Sequence, residues 1–157
     1  MHIQNATILV TGANRGLGAE FARQALARGA KKVFAAARVP ESVTLEGVVP
    51  VRRDVTNAAA VAALAAELGD VDLVINNAGV AGVGKLLAQG TQVLGVHVGM
   101  IDTDLTRGFD LPKLSPDTVV ARSFAALEAG AGEVLVDEIT RAVKQGLIAE
   151  PPLYTLA

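Results

Sequence analysis

Short apolar runs alternate along this chain with longer stretches of helical periodicity. Four runs rich in valine, isoleucine and alanine predict buried parallel strands at residues 6–10, 33–37, 48–51 and 71–75. Helices are predicted at residues 17–28 and 58–68, each followed by a glycine, and Asn57 is a suitable cap for the second. Pro50 places the third strand at a sheet edge, because proline cannot donate to a ladder.

The second half of the chain continues the alternation. Residues 93–98 and 133–136 predict two further strands. Ser115 and Asp137 are predicted caps of helices that reach Ala129 and Gln145, and residues 150–154 form an irregular tail. The pattern predicts an α/β fold: a Rossmann-type, doubly wound parallel sheet in three layers, with all 157 residues in one domain.

Amino-acid composition and net charge argue against several classes of function. Apolar residues make up 51% and aromatic residues 3%, so the core is built from alanine, valine and leucine, and base-stacking surfaces are disfavoured. A formal charge of -2 gives no field that attracts nucleic acid or an anionic membrane. Without cysteine there is no disulfide, thiolate nucleophile or zinc cluster. Neither a signal peptide nor an apolar run of about 18 residues is present, which predicts a cytoplasmic protein.

Gly12, Gly16 and Gly18 lie where the first predicted strand passes into the first helix. The first N–H groups of a helix have no internal partner, and the helix dipole adds partial positive charge there. Glycines allow positive φ and leave no Cβ between the backbone and a pyrophosphate. An ordinary tight loop is the alternative, since 16 of the 157 residues are glycine. The βαβ context favours the phosphate site.

Three segments together carry a family resemblance: Thr11-Gly12-Ala13-Asn14-Arg15-Gly16-Leu17-Gly18, Asp54-Val55 and Asn76-Asn77-Ala78-Gly79. At these separations the chain, up to about residue 83, resembles the short-chain dehydrogenase/reductase family of NAD(P)-dependent oxidoreductases. The resemblance implies cofactor binding by turn residues Gly12, Asn14, Arg15, Gly16, Leu17 and Gly18, by Asp54 and Val55 beside the adenine, and by Asn77, Ala78 and Gly79. Alternatively, Asn76 and Asn77 only bridge strand ends.

Charge favours NADP over NAD. Proteins that select NAD place a carboxylate near the end of the second strand, where it binds the ribose hydroxyls. Here Arg38 occupies that region, and Arg15 lies within the glycine turn. Two guanidinium groups match the 2′-phosphate of NADP, although both could instead be solvated surface arginines.

The resemblance is interrupted after Gly79. A complete family member continues through two long helices and a strand that carry a catalytic Ser and a Tyr-x-x-x-Lys pair, whereas here only residues 85–89 have helical character before the pattern resumes at residue 91. Tyr154, the single tyrosine, has no lysine four positions later. No residue is therefore predicted to be catalytic.

Residues 91–97 resemble the family's sixth strand, and residues 98–104 resemble its Pro-Gly-x-x-x-Thr loop over the nicotinamide, with Val98 in place of the proline. That resemblance adds Gly99, Ile101 and Thr103 as cofactor-binding candidates.

Four other polar residues are interpreted as structural. His97 is expected to be a core residue of a buried strand rather than a catalytic group, because no partner base is visible. Asp102 and Asp104 are expected to be solvated rather than metal ligands. Ser115 is better explained as a helix cap than as a nucleophile.

Packing also indicates a missing segment near residues 80–90. Parallel strands need a crossover of about a dozen residues or more, normally a helix. Without it, the strand at residues 93–98 either inserts beside the fourth strand or leaves an unpaired edge, and the fourth strand loses helical cover. The chain is therefore expected to lack one strand and two helices of the complete fold.

Three hypotheses follow. The first is an NADP(H)-dependent carbonyl reductase or alcohol dehydrogenase whose catalytic segment is missing from the sequence. The second is a non-catalytic module that binds the dinucleotide, and the third is an inactive fragment. The expected substrate is a small carbonyl compound or alcohol. Assembly into a homo-oligomer is an open alternative, and no metal, nucleic acid or membrane is expected as a partner.

Overall fold

A computed structural model describes residues 1–78 and 92–147. The chain divides into two compact units, Met1–Lys85 and Leu86–Ala157. Gly79, the helix predicted at residues 85–89 and the tail with Tyr154 lie outside the described residues. No helix within the described ranges is long and apolar enough to cross a membrane.

The first unit contains a four-stranded parallel sheet with the strand order β3-β2-β1-β4. Its strands and helices are β1 (Thr7–Thr11), α1 (Gly16–Ala27), β2 (Lys32–Ala37), β3 (Val49–Arg52), α2 (Ala58–Leu68) and β4 (Leu73–Ile75). Pro50 lies in β3 at the edge of the sheet, as predicted. Asn57 caps α2 by accepting the N–H of Ala60 at 3.0 Å, which confirms the predicted start of that helix.

The core of this unit lies between α1 and the sheet. Ile8 and Val10 of β1 are fully buried, and α1, which contacts β1 and β2, buries Phe21 and Ala22. Because side chains alternate along a strand, Leu9 points to the opposite face, where it lines a space beside α2. The helix–sheet–helix arrangement gives the three predicted layers.

The layer formed by α2 is thin. Leu64 is the one buried residue of this helix, because most of its other side chains are alanines too short to fill the interface. A cavity of about 370 Å³ remains between α2 and the sheet, lined by Leu9, Leu64, Leu68 and Val74 among others. Val74 of β4 stays 48% exposed. The expected loss of helical cover over the fourth strand is therefore observed.

Within residues 92–147, the second unit contains two parallel strands and two α-helices: β5 (Gly95–His97), α3 (Pro116–Glu128), β6 (Glu133–Leu135) and α4 (Glu138–Leu147). The predicted caps are confirmed, because Ser115 accepts the N–H of Thr118 and Asp137 accepts that of Thr140. In the described ladders β5 pairs with β6, in a sheet of their own. The two expected outcomes for this strand, insertion beside the fourth strand or an unpaired edge, stay predictions.

Candidate functional site

The glycine turn leaves the N-terminus of α1 open to an anion. Gly12 and Gly16 adopt positive φ angles of 65° and 55°, which turn the chain from β1 into the helix. Arg15 occupies the N-cap position in an extended conformation, without a side-chain cap hydrogen bond, and the first turn has no acidic residue. The side chain at the cap therefore accepts no hydrogen bond from the first N–H groups of α1, and the helix dipole favours negative charge at this end of the helix. This arrangement fits a pyrophosphate.

Gly18 brings the first turn of α1 against the glycine turn. A Cβ at Gly18 would overlap the carbonyl oxygen of Gly12 and lie 2.5 Å from Nδ2 of Asn77. A Cβ at Gly12 would lie 3.1 Å from the same nitrogen and 3.2 Å from Cα of Ala78. A side chain at either position would fill the backbone cradle: at Gly18 packing alone excludes it, and at Gly12 tight packing is combined with a positive φ.

Thr11 connects the glycine turn to the chain that leaves β4. Its hydroxyl donates to the carbonyl of Ile75 at 3.2 Å and accepts the N–H groups of Asn77 and Ala78, each at 3.0 Å. The side-chain amide of Asn77 donates in return to the carbonyls of Thr11, at 3.0 Å, and Gly12, at 3.3 Å. Thr11 is 6% exposed, and sequence analysis did not single it out.

Replacing Thr11 with valine is expected to lower the free energy of unfolding by about 1–3 kcal/mol. The shape is kept, but the Ala78 N–H loses the one partner it has among the described residues, whereas the Asn77 N–H keeps the carbonyl of Ile75. Thr11→Ser keeps the hydroxyl and serves as the control in urea denaturation. Equal stability of the valine and serine variants would contradict the role of the hydroxyl.

These contacts confirm that Asn77 bridges strand ends. Asn76 does not make the same contacts: it is exposed and lines the cavity beside α2. Asn77 and Ala78 lie directly beside the glycine turn. Their contact with a cofactor stays a prediction, as does that of Asn14, Leu17 and Gly79.

The predicted adenosine-binding residues lie at the carboxyl ends of neighbouring parallel strands. Arg38 directly follows β2 and Asp54 follows β3, and both side chains are exposed, as is Arg15. The hydroxyl and N–H of Thr56 hold the pKa of Asp54 below its ordinary value, and the positive charge of Arg38 acts in the same direction. Arg38 is therefore close enough to affect a carboxylate at this edge of the sheet.

Val55 is one of the residues that line the cavity beside α2. It is 39% exposed, so this side chain has apolar surface available for a flat apolar ring. Its place beside the adenine stays a prediction from the resemblance.

In the second unit, the candidates Gly99, Ile101 and Thr103 belong to a loop with many internal hydrogen bonds. The Gly99 N–H donates to Oδ2 of Asp137 at 2.7 Å. The Thr106 hydroxyl donates to the carbonyl of Ile101, and Thr103 and Thr106 form a reciprocal capping box at the 3-10 helix Asp104–Thr106. The backbone of this loop is therefore held by hydrogen bonds within the second unit.

His97 is not a buried core residue, and that expectation is wrong. Its side chain is 56% exposed, with Nε2 3.9 Å from Oε2 of Glu133. Lys144 also pairs with Glu133, and its hydrogen bond and charge, followed by the charge of His97, hold the pKa of Glu133 below its ordinary value. The three-residue β5 has one partner strand in the described ladders, which is too little cover to bury its side chains.

Asp102 and Asp104 are exposed, as expected, and Asp104 pairs with Arg107. Within residues 1–78 and 92–147, no group of three or more histidine, aspartate or glutamate side chains could hold a metal ion. Tyr154 lies outside the described residues.

Comparison with known proteins places this geometry in a family. The family model described as short chain dehydrogenase matches residues 6–92. An uncharacterized oxidoreductase of Schizosaccharomyces pombe is 36% identical over 86 residues, which cover 51% of this chain and 29% of that protein. Galactitol 2-dehydrogenase of Agrobacterium fabrum is 34% identical over 89 residues, covering 51% of this chain and 35% of its own length. The chain thus spans about a third of the length of these curated relatives.

Among solved structures, a short chain dehydrogenase from Burkholderia cenocepacia J2315 in complex with NADP is similar over 96% of both chains, with 26% identity and a TM-score of 0.81. The family match spans more than half of the sequence. It includes the glycine turn, the four-stranded sheet of the first unit and the chain that leaves β4. This chain therefore belongs to the short chain dehydrogenase family of oxidoreductases.

Proposed function

We propose that this chain binds NADP(H) as the cofactor-binding part of a short-chain oxidoreductase of the carbonyl reductase or alcohol dehydrogenase type. The observation that carries the proposal is the uncapped N-terminus of α1, whose backbone cradle is free of side chains at Gly12 and Gly18. The similar Burkholderia structure is an NADP complex, which supports the choice of cofactor.

The residues present fit the dinucleotide in separate parts. The turn residues would hold the pyrophosphate through N–H groups, with Arg15 and Arg38 at the 2′-phosphate. Asp54 and Val55 would border the adenine, and the loop at residues 99–103 would hold the nicotinamide. When bound, the cofactor supplies a hydride for a carbonyl carbon; the residues of this chain bind and orient it.

Arg38→Ala is expected to weaken NADPH binding about tenfold and to leave NADH binding unchanged. A charge-assisted hydrogen bond is worth about 1.5–3 kcal/mol, and the exposed position of Arg38 places the effect at the low end. The 2′-phosphate is the group that the two cofactors do not share, so the difference isolates this contact. A titration followed by nicotinamide fluorescence measures both affinities.

Arg23→Ala is the matched control. Arg23 pairs with Glu20 on α1, so the variant removes the same charge from the same unit at a distance from the carboxyl ends of the strands. We expect it to leave both affinities within about twofold. Equal losses for NADPH and NADH in Arg38→Ala would reject the assignment of the 2′-phosphate.

The second candidate function is a non-catalytic module that binds the dinucleotide, with an inactive fragment as its limiting case. It is favoured by one observation: residues 80–90, where the family pattern is interrupted, contain neither a serine nor a tyrosine. Sequencing the gene across codons 80–90 separates the two functions. A Ser and a Tyr-x-x-x-Lys motif in that region would establish the reductase, and an uninterrupted frame would establish the module or the fragment.

A small carbonyl compound or alcohol is the proposed substrate class. Three further statements stay predictions: that all residues form one dinucleotide-binding domain, that the protein is a homo-oligomer, and that it is cytoplasmic.

A further inference from the structure

The loop at residues 99–107 is fixed on one side by a parallel bridge. Ile101 pairs with Leu114, and hydrogen bonds of 2.8 Å join Asp102 N–H to the Leu114 carbonyl and Leu114 N–H to the Met100 carbonyl. Together with the Thr103–Thr106 capping box, this bridge determines the course of the loop after Met100. It does not fix the residue where the loop begins, which is Gly99.

A single carboxylate fixes that residue. Oδ2 of Asp137 accepts the Gly99 N–H at 2.7 Å, and Oδ1 accepts the Thr140 N–H, also at 2.7 Å. One oxygen therefore caps α4, while the other holds a backbone group 38 residues earlier in the chain. A Cβ at Gly99 would lie 3.2 Å from Oδ2 of Asp137 and 3.6 Å from Cδ1 of Ile139, so the absence of a side chain there allows the close approach.

The charge of Asp137 strengthens both contacts. Burial raises the pKa of its carboxyl, but the N–H groups of Gly99 and Thr140, the Thr140 hydroxyl and the charge of Arg141 together hold the pKa below the ordinary value. The group is therefore ionised at neutral pH, and hydrogen bonds to a carboxylate are stronger than those between neutral groups. Because the Gly99 N–H donates to Asp137, it is not available as a hydrogen-bond donor to a ligand.

We propose that Asp137 is a positioning residue for the loop at residues 99–103 and, through that loop, for the nicotinamide half of NADP(H). The inference rests on the proposed function, because it assigns the nicotinamide to this loop. Asp137 acts through the loop, because its two carboxylate oxygens accept the N–H groups of Gly99 and Thr140. Its oxygen fixes the first residue of the loop, so the backbone groups of Ile101 and Thr103 are presented in one arrangement and little entropy is lost on binding.

Asp137→Ser separates the two roles of the carboxylate. Serine is as good an N-cap as aspartate, so the cap of α4 is kept, but its single short hydroxyl cannot also hold Gly99. The matched control is Ser115→Ala, which removes the cap of α3 and leaves the contact between Asp137 and Gly99 in place.

The full chain is titrated with NADPH and with adenosine 2′,5′-bisphosphate, which lacks the nicotinamide. For Asp137→Ser we expect about tenfold weaker NADPH binding, the fold-change of one charge-assisted hydrogen bond, and an unchanged affinity for the bisphosphate. Ser115→Ala should change neither affinity. A merely structural role of Asp137 would weaken both ligands together, so the difference between the two ligands is the readout of positioning.

Failure of the inference and failure of the proposed function give different results. If the parent chain binds neither ligand, the proposed function fails and the positioning role falls with it. If the parent binds both, but Asp137→Ser weakens both equally or neither, the function stands and the positioning role is overturned. Amide hydrogen exchange adds a readout without ligand: the Gly99 N–H should exchange at least about tenfold faster in Asp137→Ser than in the parent. Unchanged exchange would also overturn the proposal.

Discussion

Replacing Gly18 with alanine is expected to lower the free energy of unfolding by about 3 kcal/mol or more and to abolish measurable NADPH binding. Alanine is the better helix former by about 1 kcal/mol, so helix propensity alone would predict stabilisation. The steric effect is larger, because the new Cβ would overlap the carbonyl of Gly12 and lie 2.8 Å from its carbon. Backbone cannot move aside as a flexible side chain can, and overpacking costs about 1–3 kcal/mol even where side chains can yield.

The displaced group is also the one that shapes the proposed site. Gly12 has a positive φ, and its carbonyl accepts the side-chain amide of Asn77, so a shift there moves the turn that the pyrophosphate would approach. Gly132→Ala is the control, since no atom lies within 4 Å of its Cβ position and its φ is not in the left-handed region. Urea denaturation and NADPH titration measure both variants. Parent-like stability and affinity in Gly18→Ala would show that the close approach is not present in the molecule.

The chain of 157 residues is expected to show no carbonyl-dependent oxidation of NADPH above background. Hydride transfer to a carbonyl needs a proton donor at the oxygen, and general acid catalysis by a positioned group contributes about 10²- to 10⁴-fold in rate. Residues 80–90, where the family pattern is interrupted, contain neither a serine nor a tyrosine, and Tyr154, the single tyrosine of the sequence, lies outside that region. Substrate positioning is expected to suffer as well, because the segment that would build the pocket wall is missing from the family pattern.

Gly12→Asp provides the background rate, since a carboxylate in the phosphate turn repels the cofactor. NADPH absorbance is followed with ketone and aldehyde substrates for both proteins. A rate clearly above this background that Tyr154→Phe abolishes would contradict the prediction and assign the acid role to the tail tyrosine.

The sequence by itself determined the elements whose causes are local. Apolar runs predicted the strands of the first unit to within two residues, because a buried parallel strand needs apolar side chains on both faces. Asn57, Ser115 and Asp137 marked helix starts, since a cap acts on N–H groups two or three residues later. The glycine turn, and the family with it, was also identifiable, because the turn and the helix that follows it are contiguous in sequence.

Only the tertiary structure decided which distant groups meet. The Thr11 hydroxyl binds N–H groups 66 and 67 residues later, and Asp137 holds Gly99 across 38 residues. The exposure of His97 likewise followed from the small sheet that contains β5, and no local pattern encodes that. Such contacts depend on which strands become neighbours and on how closely backbones approach. Both are set by packing of the whole unit, and sequence periodicity specifies only the face on which a side chain lies.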